Sequence, residues 1–453
     1  MMKTKFITLI FTCIAIISMA QVNEQDSLSL VALYNSTDGP NWTCGCNEGW
    51  LTDPVDQWNG ITIEDNRVVE IFLFTYDACG LNGILPAEIG QLSQLKELTI
   101  LSSLNLHGNL PEEIGLLSNL TDLDIMDCGL EGELPASFGN LTSLVWARLS
   151  MNHFSSINEN AFSNLSNLIS FDISQNNIFG SFPIGILSLI SLSSLNLSYN
   201  SFEGHLPNEL SSMINLKGII LSNNNFSGIL PEGLSDLENL IGLDLSFNQF
   251  VGSIPEEYGN FDSLWHTLYL NNNLLEGDVP NSILNNNKLQ RLRLDNNMFT
   301  YVPDFTAMAD IEELKIENNQ LTFEDLELNQ LLSSIYEYTY SPQDSINSEI
   351  DTTVIVNSSI TLETICGGEN NQYQWYYNNN QIVGATESTY TLNNVIAANQ
   401  GVYTCAITNT IVTGLTLWRH SVTLHVNTSG IEDMNNASII IEKSGDNLLV
   451  TNL

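Results

Sequence analysis

Eight asparagines, Asn152, Asn176, Asn200, Asn224, Asn248, Asn273, Asn297 and Asn319, stand 24, 24, 24, 24, 25, 24 and 22 residues apart. A catalytic motif normally occurs once, whereas a unit that cannot bury its own apolar face must be repeated. Other positions keep step. Leu195-x-Leu197, Ile219-x-Leu221, Leu243-x-Leu245, Leu268-x-Leu270 and Leu292-x-Leu294 each precede one of the asparagines; Gly180, Gly204, Gly228, Gly252 and Gly277 follow, then Pro183, Pro207, Pro231, Pro255 and Pro280. The spacing predicts a solenoid. Each LxL forms a short strand pairing in parallel with its neighbours about 4.8 Å away, and the flanking leucines point into a shared interior. The asparagine serves backbone groups where the chain leaves the strand, glycine permits the tight bend, and proline ends the pairing.

The unit reads LxxLxLxxNxFxGxLPxxLxxLxx and resembles the leucine-rich repeat in its 24-residue plant-type form, over residues 68–334 in about eleven registers. The resemblance implies a parallel β-sheet on the concave face and an irregular, short-helical convex side. Such a solenoid needs its ends covered. Residues 21–67 supply the first cover: Asp26 is predicted to cap a short helix with Leu30, Leu33 and Tyr34 on one face, and Trp42, Trp50 and Trp58 add apolar area. The segment resembles the N-terminal cap of plant-type repeat proteins, whose WxGV strand matches Trp58-Asn59-Gly60-Ile61. Among Cys44, Cys46 and Cys79, one bridge from Cys44 or Cys46 to Cys79 is expected. Cys128, at the asparagine position of its own repeat, reads as a small buried residue.

The first 20 residues, with Lys3 and Lys5 ahead of an apolar run and Ser18 and Ala20 at a cleavage site, read as a secretory signal peptide. No later stretch approaches a membrane span. The chain carries 12 Lys+Arg against 52 Asp+Glu, a formal charge of −40 that disfavours nucleic acid and anionic membranes as partners. Beyond the repeats, residues 335–344 read as a linker. Residues 345–427 contain Cys366, Trp375, Tyr403 and Cys405 and resemble an immunoglobulin-like domain. That resemblance implies a Cys366–Cys405 bridge with Trp375 packed on it, and a tyrosine corner at Tyr403, with Asn399 where the family usually has Asp. The tail, 428–453, resembles the start of the C-terminal sorting domain of the Bacteroidetes type IX secretion system.

The six histidines fall at unrelated repeat positions, and the chain holds no HExxH, GxSxG or Cys/His metal spacing. No catalytic residue and no cofactor is expected. Asp122-x-Asp124-x-x-Asp127 could hold Ca²⁺, although Asp at the middle position is also consensus, as at Asp172 and Asp244. Counting the first leucine of a unit as position one, positions three, five, seven and eight face the concave sheet. Those columns contain Asp122, Asp124 and Asp127; Trp146, Arg148 and Met151; Tyr199, Phe247 and Tyr269; and Arg291 and Arg293. An exposed tryptophan beside an arginine typifies recognition surfaces, while Tyr or Phe at position eight also serves as rim packing. The expected function is a non-enzymatic secreted or cell-surface binding protein, resembling Bacteroidetes surface proteins, that recognises an extracellular protein or polysaccharide. The repeats also resemble polygalacturonase-inhibiting proteins, which makes an inhibitor of a secreted hydrolase the alternative, together with a receptor-like ectodomain.

Overall fold

A computed structural model describes residues 22–74 and 79–428 and the backbone of 439–444 and 447–452. The signal-peptide segment lies outside the described residues. The chain divides into two compact units. The first runs to Met298 and includes Ala307–Lys315 and Ile335–Tyr338; the second comprises Phe299–Thr306, Ile316–Ser334 and everything from Thr339.

In the first unit each LxL segment contributes one short strand to a thirteen-stranded sheet. Ser194–Asn196 lies parallel between Ser170–Asp172 and Gly218–Ile220, with Leu195 in register with Phe171 and Ile219. Leu192, Leu195 and Leu197 are fully buried, so one coil supplies the apolar wall for the next. The chain then bends at glycines held in the left-handed region, φ +80° at Gly204 and +82° at Gly228, which side-chain-bearing residues adopt only at a cost. Short second strands such as Ser201–Gly204 and Asn225–Gly228 pair on the opposite side of the coil. Pro207 and Pro231 end them and start the 3-10 turns Asn208–Ser212 and Glu232–Asp236.

The repeating asparagines form a buried ladder. Asn224 Oδ1 accepts the Phe202 N–H at 3.0 Å, and its Nδ2 donates to the Leu197 and Leu221 carbonyls at 3.0 and 3.1 Å. Asn200, Asn248, Asn273 and Asn297 repeat the set. Each residue thus serves its own coil and the preceding one.

The N-terminal helix spans Glu24–Ser36 and buries Leu30, Leu33 and Tyr34. Its cap is Asn23, whose Oδ1 accepts from the Gln25 and Asp26 N–H groups, and not Asp26. Asp26 turns inward instead. It is fully buried, takes two 2.9 Å bonds from Arg67 and a third from the Val68 N–H, and the pairing raises the Arg67 pKa. A sequence pattern cannot separate these roles, because Asn23 and Asp26 are both good capping residues three positions apart. Asp26→Ala should therefore cost roughly 2–3 kcal/mol, because it leaves the buried Val68 N–H without its acceptor and Arg67 without its carboxylate. Urea unfolding followed by tryptophan emission checks it, and a loss below about 0.5 kcal/mol would rank the pair with surface bridges. Trp50 stacks on Trp58 at 4.8 Å and meets Trp42 edge-on at 4.9 Å. Cys46 and Cys79 are disulfide-bonded with Cα atoms 5.5 Å apart, and Cys44 is free and exposed.

In the second unit, residues expected to be a linker continue the ladder. Gln343, 24 residues beyond Asn319, accepts the Asn319 N–H at 3.0 Å and donates to the Ile316 and Tyr340 carbonyls. Beyond it lies an all-β fold. Gly401–Asn409 pairs antiparallel with Asn371–Tyr377 and Val422–Asn427, Ile350–Ile355 runs parallel to the latter, and Ile360–Glu363 pairs with Thr389–Leu392 in a second sheet. Trp375 is fully buried, 6.2 Å from Tyr390 of the second sheet. Cys366 and Cys405, expected to bridge, are both free thiols. Cys366 sits three residues past the end of strand Ile360–Glu363, with its sulfur 3.5 Å from the Gly367 carbonyl, and burial pushes both thiols up to about 11. Strands Ile439–Ser444 and Asn447–Asn452 form an antiparallel hairpin.

Candidate ligand-binding face

The concave sheet lines up positions three and five of successive coils, because the strands pair without register shift from Glu70 to Lys315. Sequence columns thereby become spatial rows.

One end of the face is acidic. Glu70, Glu97 and Asp122 stand in register, and burial together with the neighbouring Glu70, Asp122 and Asp124 holds Glu97 above the usual carboxylate range. Asp124 is not available as a cation ligand. It is nine-tenths buried and gripped by the Arg148 guanidinium, with Nε 2.6 Å from Oδ1. No metal-holding group of His, Cys, Asp or Glu occurs among the described residues. Trp146, in register with Asp122, is 44% exposed.

The middle of position three is a floor of small residues: Ser170, Ser194, Gly218 and Gly242. A Cβ built on Gly218 meets nothing within 4 Å. Glycine inside a strand forfeits stability, and at Gly218 it leaves the concave backbone uncovered by any side chain of its own.

Position eight is left-handed in every coil from Ser102 to Asn318, with φ between 52° and 57°. Asn223, Asn272, Asn296 and Asn318 suit that geometry. Met151, Tyr199 and Phe247 do not, since a bulky side chain costs about 1 kcal/mol there. They are nevertheless 43%, 56% and 49% exposed, so packing does not compensate them. The conformation belongs to the repeat, because Ser102 and Gln175 adopt it too; Met151, Tyr199 and Phe247 are the large side chains it presents to solvent. Asp127 shares the same column.

The far end carries cations paired with carboxylates. Arg293 lies 4.4 Å over the Tyr269 ring and bonds Glu313 at 2.5 Å; Arg291 approaches the same carboxylate at 3.8 Å; Lys315 bonds Glu337 at 2.6 Å. Column reading stopped at Arg293. Glu313 and Lys315 occupy positions three and five of the next coil, and counting one unit further would have included them.

The leucine-rich repeat family model matches residues 119–141, 191–213, 215–237 and 239–261. No curated protein matches. Among solved structures, the chain resembles the Arabidopsis receptor kinase HAESA in complex with the peptide hormone IDA and the co-receptor SERK1, at 25% identity and a TM-score of 0.62, covering 71% of this chain and 54% of that one. It also resembles PEPR1–AtPEP1, at 22% identity, a TM-score of 0.54 and coverage of 73% and 56%, and a plant ice-binding protein, at 20% identity, a TM-score of 0.51 and coverage of 71% and 97%. The chain spans about half the length of the two receptors. The chain therefore carries leucine-rich repeats in a solenoid of the kind found in receptor ectodomains and other ligand-binding proteins.

Proposed function

We propose that the concave sheet binds an extended segment of an extracellular protein, laid across the strands from Trp146 to Arg291. Six strand steps separate these two residues, roughly 29 Å, which an extended chain of about nine residues spans. The observation that carries the reading is the pairing of open backbone at Gly218, where a Cβ would meet nothing within 4 Å, with the large exposed side chains of Tyr199 and Phe247 in the column beside it. The ligand's acidic end lies against Arg291, which stands 3.8 Å from Glu313 and is the most loosely paired cation of that end. Polysaccharide is the second class of ligand for the same trough.

Gly218→Trp tests the trough. With open space above the Cβ, the substitution should leave the melting temperature within about 2 °C while weakening binding of linear peptides selected on the wild-type chain roughly tenfold or more. Peptides that bind the variant as tightly as the wild type would remove the trough from consideration.

The repeats, taken as 68–334, would be followed by an immunoglobulin-like domain over 345–427 acting as a spacer or second contact. The Tyr403 hydroxyl, donating to the Asn399 carbonyl at 2.8 Å, and the buried Trp375 support that reading. The cap disulfide supports an oxidising, extracellular location. No described helix is long and apolar enough to cross a membrane. Residues 428–453 would serve as an export address read by type IX machinery, the chain then residing at a bacterial outer-membrane surface. Expression with and without them in the native host should retain only the shortened form in the periplasm; equal distribution of both would leave a plain secreted protein.

A further inference from the structure

The interval from Asn248 to Asn273 is one residue longer than its neighbours. The extra residue has a definite place. Leu264, 3% exposed, keeps the buried leucine position, and Trp265 is pushed outward to 43% exposure before the strand Thr267–Tyr269 begins. In the preceding coil the turn closes with Leu237 N–H to Leu234 O and Leu240 N–H to Leu237 O; the equivalent bonds from Phe261 and Leu264 are not formed. The loop opens into a cleft of about 690 Å³ at the edge where the chain enters the concave strands. Its walls include Trp265, Lys217, Asn239, Asp262, Asn286 and Lys288. Asn286 is 4% exposed, its Nδ2 donates to the Tyr258 carbonyl at 2.7 Å, and its Oδ1 has no donor.

We infer that this cleft is a saccharide-binding site, separate from the concave trough, in which a sugar ring lies on the Trp265 indole. The chemistry of the lining carries the choice. An exposed flat aromatic offers the apolar face of a pyranose a platform, and carboxamides with one carboxylate and two ammonium groups supply the mixed donors and acceptors that hydroxyls need. His266, edge-on to the indole at 5.4 Å, helps to hold the platform in place. The volume lies within the range of small-ligand clefts. The chain's charge of −40 disfavours the approach of polyanions, so the expected ligand is a neutral sugar.

The test uses the full mature chain, titrated calorimetrically with cellohexaose, laminarihexaose, xylohexaose, mannohexaose, chitohexaose and trigalacturonate, with tryptophan emission as a second readout. At least one neutral sugar should bind and perturb the emission. Trp265→Ala should weaken that binding roughly tenfold or more. Deleting Trp265 is the sharper variant, because it restores the regular spacing of Leu264 to Leu268; binding should vanish while the melting temperature holds or rises. Trp418→Ala, at a tryptophan of similar exposure in the second unit, should leave binding intact. The inference is overturned if no sugar binds the wild type, if the affinity survives both Trp265 variants, or if only trigalacturonate binds.

Discussion

Replacing Asn224 by leucine should destabilise the repeat unit by roughly 4 kcal/mol, although the two side chains branch alike and the position is already buried. The side chain holds one N–H and the carbonyls of Leu197, Leu221 and Ser222 in an interior that water does not reach. A leucine there leaves the Phe202 N–H and several carbonyls unsatisfied, at about 1–3 kcal/mol for each fully orphaned group, with partial relief from the carbonyls' other lone pairs. Asn224→Asp should be little better. It keeps the acceptor but turns a carboxylate toward carbonyl oxygens that formerly received N–H groups. Asn223, the adjacent left-handed residue, whose side chain makes no such set of bonds, is the control: Asn223→Asp, which keeps a residue suited to that conformation as Asp127 is, should change stability by no more than about 0.5 kcal/mol. Urea unfolding with a common m-value distinguishes them, and a cost below 1 kcal/mol at Asn224 would mean that the ladder is ornament.

The second large effect concerns the cap. Replacing both Cys46 and Cys79 by serine should remove about 3–4 kcal/mol, the scale set by closing a loop of 33 residues. Because both cysteines are buried in the same cap that buries Trp42 and Trp50, loss should appear first in the emission of the cap tryptophans. The same experiment bears on the other cysteines. Denatured but unreduced chain expressed without residues 1–20 should expose four thiols, those of Cys44, Cys128, Cys366 and Cys405. Two thiols would mean that Cys366 and Cys405 are bridged. Reductant should leave melting of the second unit unchanged if they are not.

The repeat architecture was legible because one residue type makes one set of bonds in coil after coil. Asparagine announces the rung, and the columns become rows once strands pair in register. Gln343 escaped because a longer amide performs the same task under another letter, although its distance of 24 residues from Asn319 was there to be counted. Trp265 escaped for the opposite reason: the irregular interval was visible, but spacing alone does not say which residue of the coil is displaced. Charge networks are less legible still. That Arg148 is committed to Asp124 whereas Lys315 reaches Glu337 depends on side-chain reach across strands, which columns order but do not measure. Cysteine pairing depends on where a strand ends, and Cys366 lies beyond that point.

The asparagine ladder also fixes how the molecule answers to force. Each rung ties its own coil only to the one before, so tension applied between the ends of the repeats loads the terminal contacts first and leaves interior rungs intact until their turn comes. A freed 24-residue coil releases roughly 80 Å of chain. Extension would then proceed as a series of similar steps, each absorbing work while the remaining coils keep their concave face in shape. Each step shortens the concave face by one coil and leaves the remaining strands paired in register.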